Sequence, residues 1–176
     1  FGINFKNEIL KRPGPFFQSI MIQKKLLDKM DSPFDTASIP SEDWNFFIEL
    51  SKLNPKVNYI DQPLFTWNMH ADNQSLNLKK EAEALVYILK KHVIYINKIH
   101  GKGILANHYR RIARLYEKKC DDKNTYKYIE KFYIKAFLTA PLSIKNLFYF
   151  IMTSIGYNRT RLIINLMRKL RGVPND

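Results

Sequence analysis

Apolar positions in the first 77 residues come in short runs broken by Pro, Gly and Asp, and from Leu78 onward they recur at helical steps. Residues 16–22 (FFQSIMI) form an apolar run behind the Pro/Gly punctuation of 12–15, and 23–30 (QKKLLDKM) have helical character. Together they predict a strand running into a helix. Residues 31–40 hold two Pro, two Asp and two Ser and predict a loop. Ser41 stands at the N-cap position of a following helix, with Glu42 and Asp43 in its first turn and Trp44, Phe47, Ile48 and Leu50 on its apolar face. Residues 56–60 alternate as a strand does, 61–63 turn the chain, 64–69 form a second extended run, and a polar loop follows to Asn77.

Beyond that loop, Leu85, Ile88, Leu89, His92, Ile96 and Ile99 fall at steps of 1, 3 or 4. They predict one helix of about five turns, ended by Gly101 and Gly103. Further helices are expected over 104–119, over 126–139, from Pro141, and over 158–171. No internal repeat occurs, and no apolar run approaches the ~18 to 20 residues of a membrane-spanning helix. The expected organisation is an α/β region over 1–77 followed by an all-helical region over 78–176.

Composition narrows the class of protein without naming a function. Hydrophobic residues make up 45% of 176, so the chain has the material for a packed core and is not disordered. The lone Cys120 can form no internal disulfide and belongs to no zinc-ligand cluster, which points to a reducing compartment. No signal-peptide pattern opens the sequence and Phe1 stands where an initiator Met is absent, so a portion of a longer protein is expected. The net charge of +13 is uneven: residues 1–77 carry 8 basic and 9 acidic side chains, residues 78–176 carry 21 and 7. No helix-turn-helix or RNA-recognition motif accompanies that charge, and nucleic acid is not an expected partner.

Candidate chemistry concentrates at two places. Glu42 and Asp43 lie where the free N–H groups and dipole of a helix favour carboxylates, which fits plain capping and also fits a general base held ready in a cleft. Glu49 reads as a solvated helix residue. His70, at the end of the extended run, is followed by the polar cluster Asp72, Asn73, Gln74 and Ser75, suited to a hydroxyl-rich or phosphorylated ligand or to a surface loop. His92, His100 and His108 recur every 8 residues without metal-ligand geometry. No Gly-x-Gly-x-x-Gly, Walker A loop, nucleophile elbow, His-Glu-x-x-His or Asp-x-Asp occurs.

Pro33-Phe34-Asp35, Glu42-Asp43-Trp44, Tyr59-Ile60-Asp61-Gln62-Pro63-Leu64 and Trp67-Asn68-Met69-His70, with Asn73 and Ser75 behind, follow one another in order over about 60 residues. This ordered set resembles the acceptor-side half of family 2 glycosyltransferases of the GT-A type. Asn68 stands where many relatives carry Arg, and Glu49 where an Arg or Lys often follows the Glu-Asp pair. The resemblance implies an α/β remnant of a GT-A domain over 1–77 and transfer of a hexose from a nucleotide-sugar donor, with inversion, to a saccharide or lipid-linked acceptor. Asp43 is then the general base, and Glu42 flanks it, contacting acceptor hydroxyls or fixing the loop. Trp44, Gln18, Trp67, His70, Asn73 and Ser75 contact acceptor or donor, and His70 lies near the donor diphosphate or the divalent Mn or Mg ion expected in the complete enzyme. It also implies that the nucleotide-binding half is missing from this chain, which alone would be inactive.

The basic helical tail interleaves Lys131, Lys135, Lys145, Arg159, Arg161, Arg168, Lys169 and Arg171 with Phe132, Phe137, Phe148, Phe150, Ile151 and Leu166. That pattern fits either a small bundle with solvated lysines or docking on an anionic membrane surface. Bacterial surface-polysaccharide assembly in the cytoplasm, peripheral to the inner face of the membrane, is the setting the resemblance implies. The competing expectation is a noncatalytic helical module that docks on membrane or protein, with Glu42 and Asp43 only capping a helix.

Overall fold

The computed structural model describes residues 4–14, 16–66, 68, 77–118 and 123–170. Every regular element among them is helical: α1 (Phe5–Lys11), α2 (Lys24–Leu27), α3 (Glu42–Lys52), α4 (Leu78–Glu117), α5 (Lys123–Thr139), α6 (Ile144–Ser154) and α7 (Tyr157–Leu170). The expected α/β region of GT-A type is therefore corrected to a helical one. Residues 16–22 form a 3-10 turn, Phe17–Ser19, between extended residues Phe16 and Ile20. Residues 56–60 form no ladder, nor does the described part of 64–69. A strand exists only where a neighbouring strand supplies hydrogen-bond partners, and these β-like runs have none among the described residues. Gly101 takes φ 70° and ψ −173°, open to glycine without steric cost, and interrupts α4. The chain divides there into two compact units, Phe1–Gly101 and Lys102–Asp176.

In the first unit α1 packs on α3. Seven residues of α1 give too short a pattern to read from sequence, yet Phe5, Ile9 and Leu10 are all buried. The end of α1 poses a specific problem. The Ile9 carbonyl should accept from the residue four positions on, which is Pro13 and has no N–H. Trp44 solves it from α3: its indole N–H donates to the Ile9 oxygen at 2.7 Å, with the side chain 1% exposed. The next four residues of α3, Asn45 to Ile48, are also buried, so this helix is enclosed around its whole circumference. Phe46 and Phe47 meet Phe17 at ring distances of 4.9 and 6.1 Å, which anchors the 3-10 turn onto α3. Asn54, at φ 48°, gives the chain the left-handed residue that ends such a helix.

In the second unit α5 and α6 form the main packed pair. Tyr133 stacks on Tyr149 at 4.4 Å and Phe137 on Phe150 at 4.5 Å. The polar groups enclosed there are tied in. Asn146 Nδ2 donates to the carbonyls of Ala136 (3.0 Å) and Ala140 (2.8 Å), satisfying the end of α5, while Arg110 donates to the Asn146 side-chain oxygen. The Tyr133 hydroxyl donates to Glu117 at 2.6 Å; burial first, and the Glu117 charge second, push its ionisation well above the usual tyrosine range. Gly156, at φ 90°, turns the chain from α6 into α7.

The Trp44 bond yields a direct check. Trp44→Phe leaves the buried Ile9 carbonyl without its donor and opens space beside α1, so denaturant unfolding should show a loss of about 2 to 4 kcal/mol. A loss under about 0.5 kcal/mol would mean that α1 does not depend on this bond.

Candidate functional site

Glu42 and Asp43 occupy the first turn of α3, as expected from sequence. Ser41 sits at the N-cap but makes no side-chain capping bond; its carbonyl accepts from Trp44 and Asn45 N–H at 3.1 and 3.2 Å. Neither acid is a surface cap in the plain sense. Asp43 Oδ2 accepts the backbone N–H of Phe17 at 3.1 Å, 26 positions earlier, and so joins α3 to the 3-10 turn. Oδ1 remains for other work, and the residue is half-buried. Glu42 is half-buried too, with Oε2 out of solvent and accepting no hydrogen bond among the described residues. A carboxylate oxygen in that state is costly unless something visits it.

The 3-10 turn sets other groups beside this pair. Gln18 follows Phe17 directly and is exposed. Phe16 precedes it, stands 46% exposed, and meets Phe65 with ring centroids 5.9 Å apart. Both rings are partly exposed, their planes tilted by 42°, next in the chain to the residue whose N–H holds Asp43. Trp44, expected to contact acceptor, is instead sealed in the core on the Ile9 carbonyl and offers a ligand nothing; that assignment is corrected. Trp67, His70, Asn73 and Ser75, and the metal expected at His70, lie outside the described residues. Asn68 is exposed.

One turn further along α3 runs a buried polar seam that sequence reading missed. Asn45 Oδ1 and His92 Nε2 lie 2.9 Å apart, both residues buried, so Nε2 carries the proton and donates. His92 Nδ1 and Asn45 Nδ2 have no hydrogen-bond partner among the described residues. Glu49, expected to be solvated, is half-buried: it takes Lys52 at 2.6 Å and Lys91 at 3.5 Å, with His92 Nε2 at 3.7 Å. Lys91 also reaches Asp35 at 2.8 Å, where the Tyr87 hydroxyl donates at 2.8 Å. These last two bonds hold the Asp35 carboxyl below the usual carboxylate range. The one signal in sequence was His92 itself, a polar residue inside the apolar stripe of its helix.

The seam decides the charge of His92. Burial, reinforced by the Lys52 cation and opposed by Glu49, pulls its pKa from 6.5 to about 4. His100 is separate, with Nε2 on the Asn7 carbonyl at 2.9 Å, and His108 is buried in the other unit. The three histidines thus do not form a metal site, and no group of three or more His, Cys, Asp or Glu among the described residues could hold an ion. Comparison with family models, with curated proteins and with solved structures finds no match.

A neutral buried histidine has a signed consequence. The unfolded chain binds a proton at His92 below pH 6.5 while the folded chain does not until about pH 4, so stability is full above 6.5 and falls as pH drops. Glu49 lies below its ordinary 4.5, Lys52 and the Lys91 cation outweighing the upward push of burial, and contributes to acid loss only under that value. Between pH 6.5 and 4.5 unfolding free energy should therefore fall by about 2 to 3 kcal/mol, and His92→Gln, which keeps a donor for Asn45, should flatten that slope. An unchanged slope in the variant excludes His92 as the titrating group.

Proposed function

We propose that this chain supplies the acceptor-side general base of an inverting glycosyltransferase, with Asp43 taking the proton from the attacking sugar hydroxyl. The observation that carries the reading is the Asp43 carboxylate itself. One oxygen is fixed by the Phe17 N–H at 3.1 Å and the other is left unengaged by that bond, on a half-buried residue at the start of a helix locked into the core. A base works when it is positioned before the substrate arrives, and this tether does that. Glu42, with its unpartnered oxygen, suits a second hydroxyl of the acceptor.

In this reading the acceptor is a saccharide or a lipid-linked saccharide and the donor a nucleotide-activated hexose. No Asp-x-Asp pair or glycine-rich phosphate loop occurs in the 176 residues, so the donor diphosphate and its Mn or Mg ion fall to protein outside this sequence. Attack by the deprotonated hydroxyl on the anomeric carbon expels the nucleoside diphosphate and inverts the centre in one displacement. The reaction then takes place in the cytoplasm, with the enzyme peripheral to the membrane. Among the described residues no helix is long and apolar enough to cross a membrane.

Asp43→Asn isolates the charge, because asparagine keeps a side-chain oxygen for the Phe17 N–H. In the full-length protein carrying these residues, sugar transfer should fall by roughly 10²- to 10⁴-fold while nucleotide affinity and thermal stability hold. Turnover within about twofold of the parent, where a lost base predicts at least 10²-fold, would remove Asp43 from the mechanism.

A further inference from the structure

We infer that the second unit binds a phosphate-type oxyanion between Arg110, Arg114 and the Tyr149 hydroxyl. Arg110, near the end of α4, is only 9% exposed. A guanidinium cannot shed its proton, so burying one burdens the fold unless an anion stands beside it. What Arg110 meets is neutral: Nη1 donates to the Asn146 side-chain oxygen, Nη2 to that of Asn107, and Nε makes no hydrogen bond among the described residues. The groups that act on its charge are Arg114, Tyr149 and Tyr133, with no carboxylate among them. Arg114, one turn on, adds a second cation at a spacing where like charges repel. It too pairs with no carboxylate among the described residues, its guanidinium lying 5.9 Å from the centre of the Tyr149 ring. Glu117, the acid that follows on this helix, accepts the Tyr133 hydroxyl at 2.6 Å.

The donors sit on a rigid frame. Asn146 Nδ2 is held by the Ala136 and Ala140 carbonyls, which aims its oxygen at Arg110. Tyr149 is buried with its ring stacked on Tyr133 at 4.4 Å, yet its hydroxyl makes no hydrogen bond among the described residues. A buried phenol ordinarily has a partner. The bond from Arg110 to Asn107 is only part-buried, and Asn107 and Arg114 are exposed, so the Nη2 edge of Arg110 and the Arg114 guanidinium both lie toward solvent. Charge then selects the ligand. Two guanidiniums match a phosphate monoester, which carries about −1.5 to −2 at neutral pH, better than they match a singly charged carboxylate. The planar arginine fork takes two phosphate oxygens at once, and the Tyr149 hydroxyl serves a third. Every residue of this site lies in the second unit, so the inference goes beyond the reading of Asp43 in the first.

The test is calorimetric titration of the full chain with inorganic phosphate, with acetate at equal ionic strength as the control. Phosphate should bind saturably and raise the unfolding midpoint, and acetate should do neither. Tyr149→Phe keeps the stacked ring and removes only the hydroxyl. It should weaken phosphate binding about tenfold and leave the unfolding midpoint without phosphate unchanged. Arg114→Gln, at an exposed position, should weaken binding by roughly 10- to 100-fold. Phosphatidic acid vesicles that compete with phosphate assign the monoester to a lipid headgroup, and phosphate binding that they leave untouched assigns it to a soluble ester; either supports the inference. It is overturned by the absence of saturable phosphate binding, by an equal response to acetate, or by affinity within about twofold of the parent in both variants. Asp43→Asn should leave phosphate binding unchanged, so the two proposals fail separately.

Discussion

The Ile9 carbonyl, deprived of its helical partner by Pro13, is the constraint around which the first unit is arranged. A buried peptide oxygen must find a donor, and the one it finds is the indole of Trp44, 35 positions away. That bond fixes the rotation of α3 as well as its distance from α1. Once Trp44 points at Ile9, the 100° step per residue dictates where its neighbours point. Asp43 is delivered to the Phe17 N–H, Asn45 to His92, and Phe46 and Phe47 to the aromatic contacts around Phe17. The candidate base is thus positioned by a core helix rather than by a loop, and its geometry inherits the rigidity of the core.

The same enclosure explains the polar seam. A helix buried on every side must bury whatever polar residues its sequence carries, and α3 carries Asn45 and, half-buried, Glu49. Asn45 is met by a histidine kept neutral, which is cheaper to bury than an imidazolium. Glu49 stays charged because Lys52 and Lys91 reach it from the edge. The arrangement grades from neutral in the interior to ionic at the rim, where Asp35, Tyr87 and Lys91 close it. Among the described residues, atoms without a hydrogen-bond partner lie on Glu42 and Asn45, three positions apart on α3, and on His92 of α4 beside Asn45, so the cost of this seam falls close to the helix that carries the candidate base.

What sequence could reveal divides along the range of the interactions involved. The helices after Leu78 were legible because their signal is local periodicity, and the start of α3 because acids before an aromatic run mark a helix N-terminus. The strands failed for the complementary reason. FFQSIMI and KVNYI have β-like composition, but a strand is a relation between two segments, and no partner meets either among the described residues. Trp44 was visible as an apolar position, while its bond to Ile9 needed the three-dimensional consequence of Pro13. The Asn45–His92 pair joins positions 47 apart and left only an out-of-place polar residue as its trace. Glu42 and Asp43 were found because chemistry and capping draw on the same local electrostatics, and that shared cause is also why sequence alone left the two roles undivided.

Charge is segregated between the two units, whereas exposed large apolar side chains occur in both. Residues 1–101 hold 13 basic and 11 acidic side chains and are nearly balanced, and the excess charge sits in residues 102–176. A bundle that needed only solubility would place its lysines across the outward face of α6 and its aliphatics within. Here the outward face of α6 carries Ile144, Leu147, Phe148 and Ile151, while lysines occupy the exposed side of α5. The inner face of α6 is already committed to Asn146, which ties the end of α5, and to Tyr149 stacked on Tyr133. The outer arc leaves aliphatic side chains exposed, at a cost in water. Contact that covered the arc would recover that cost.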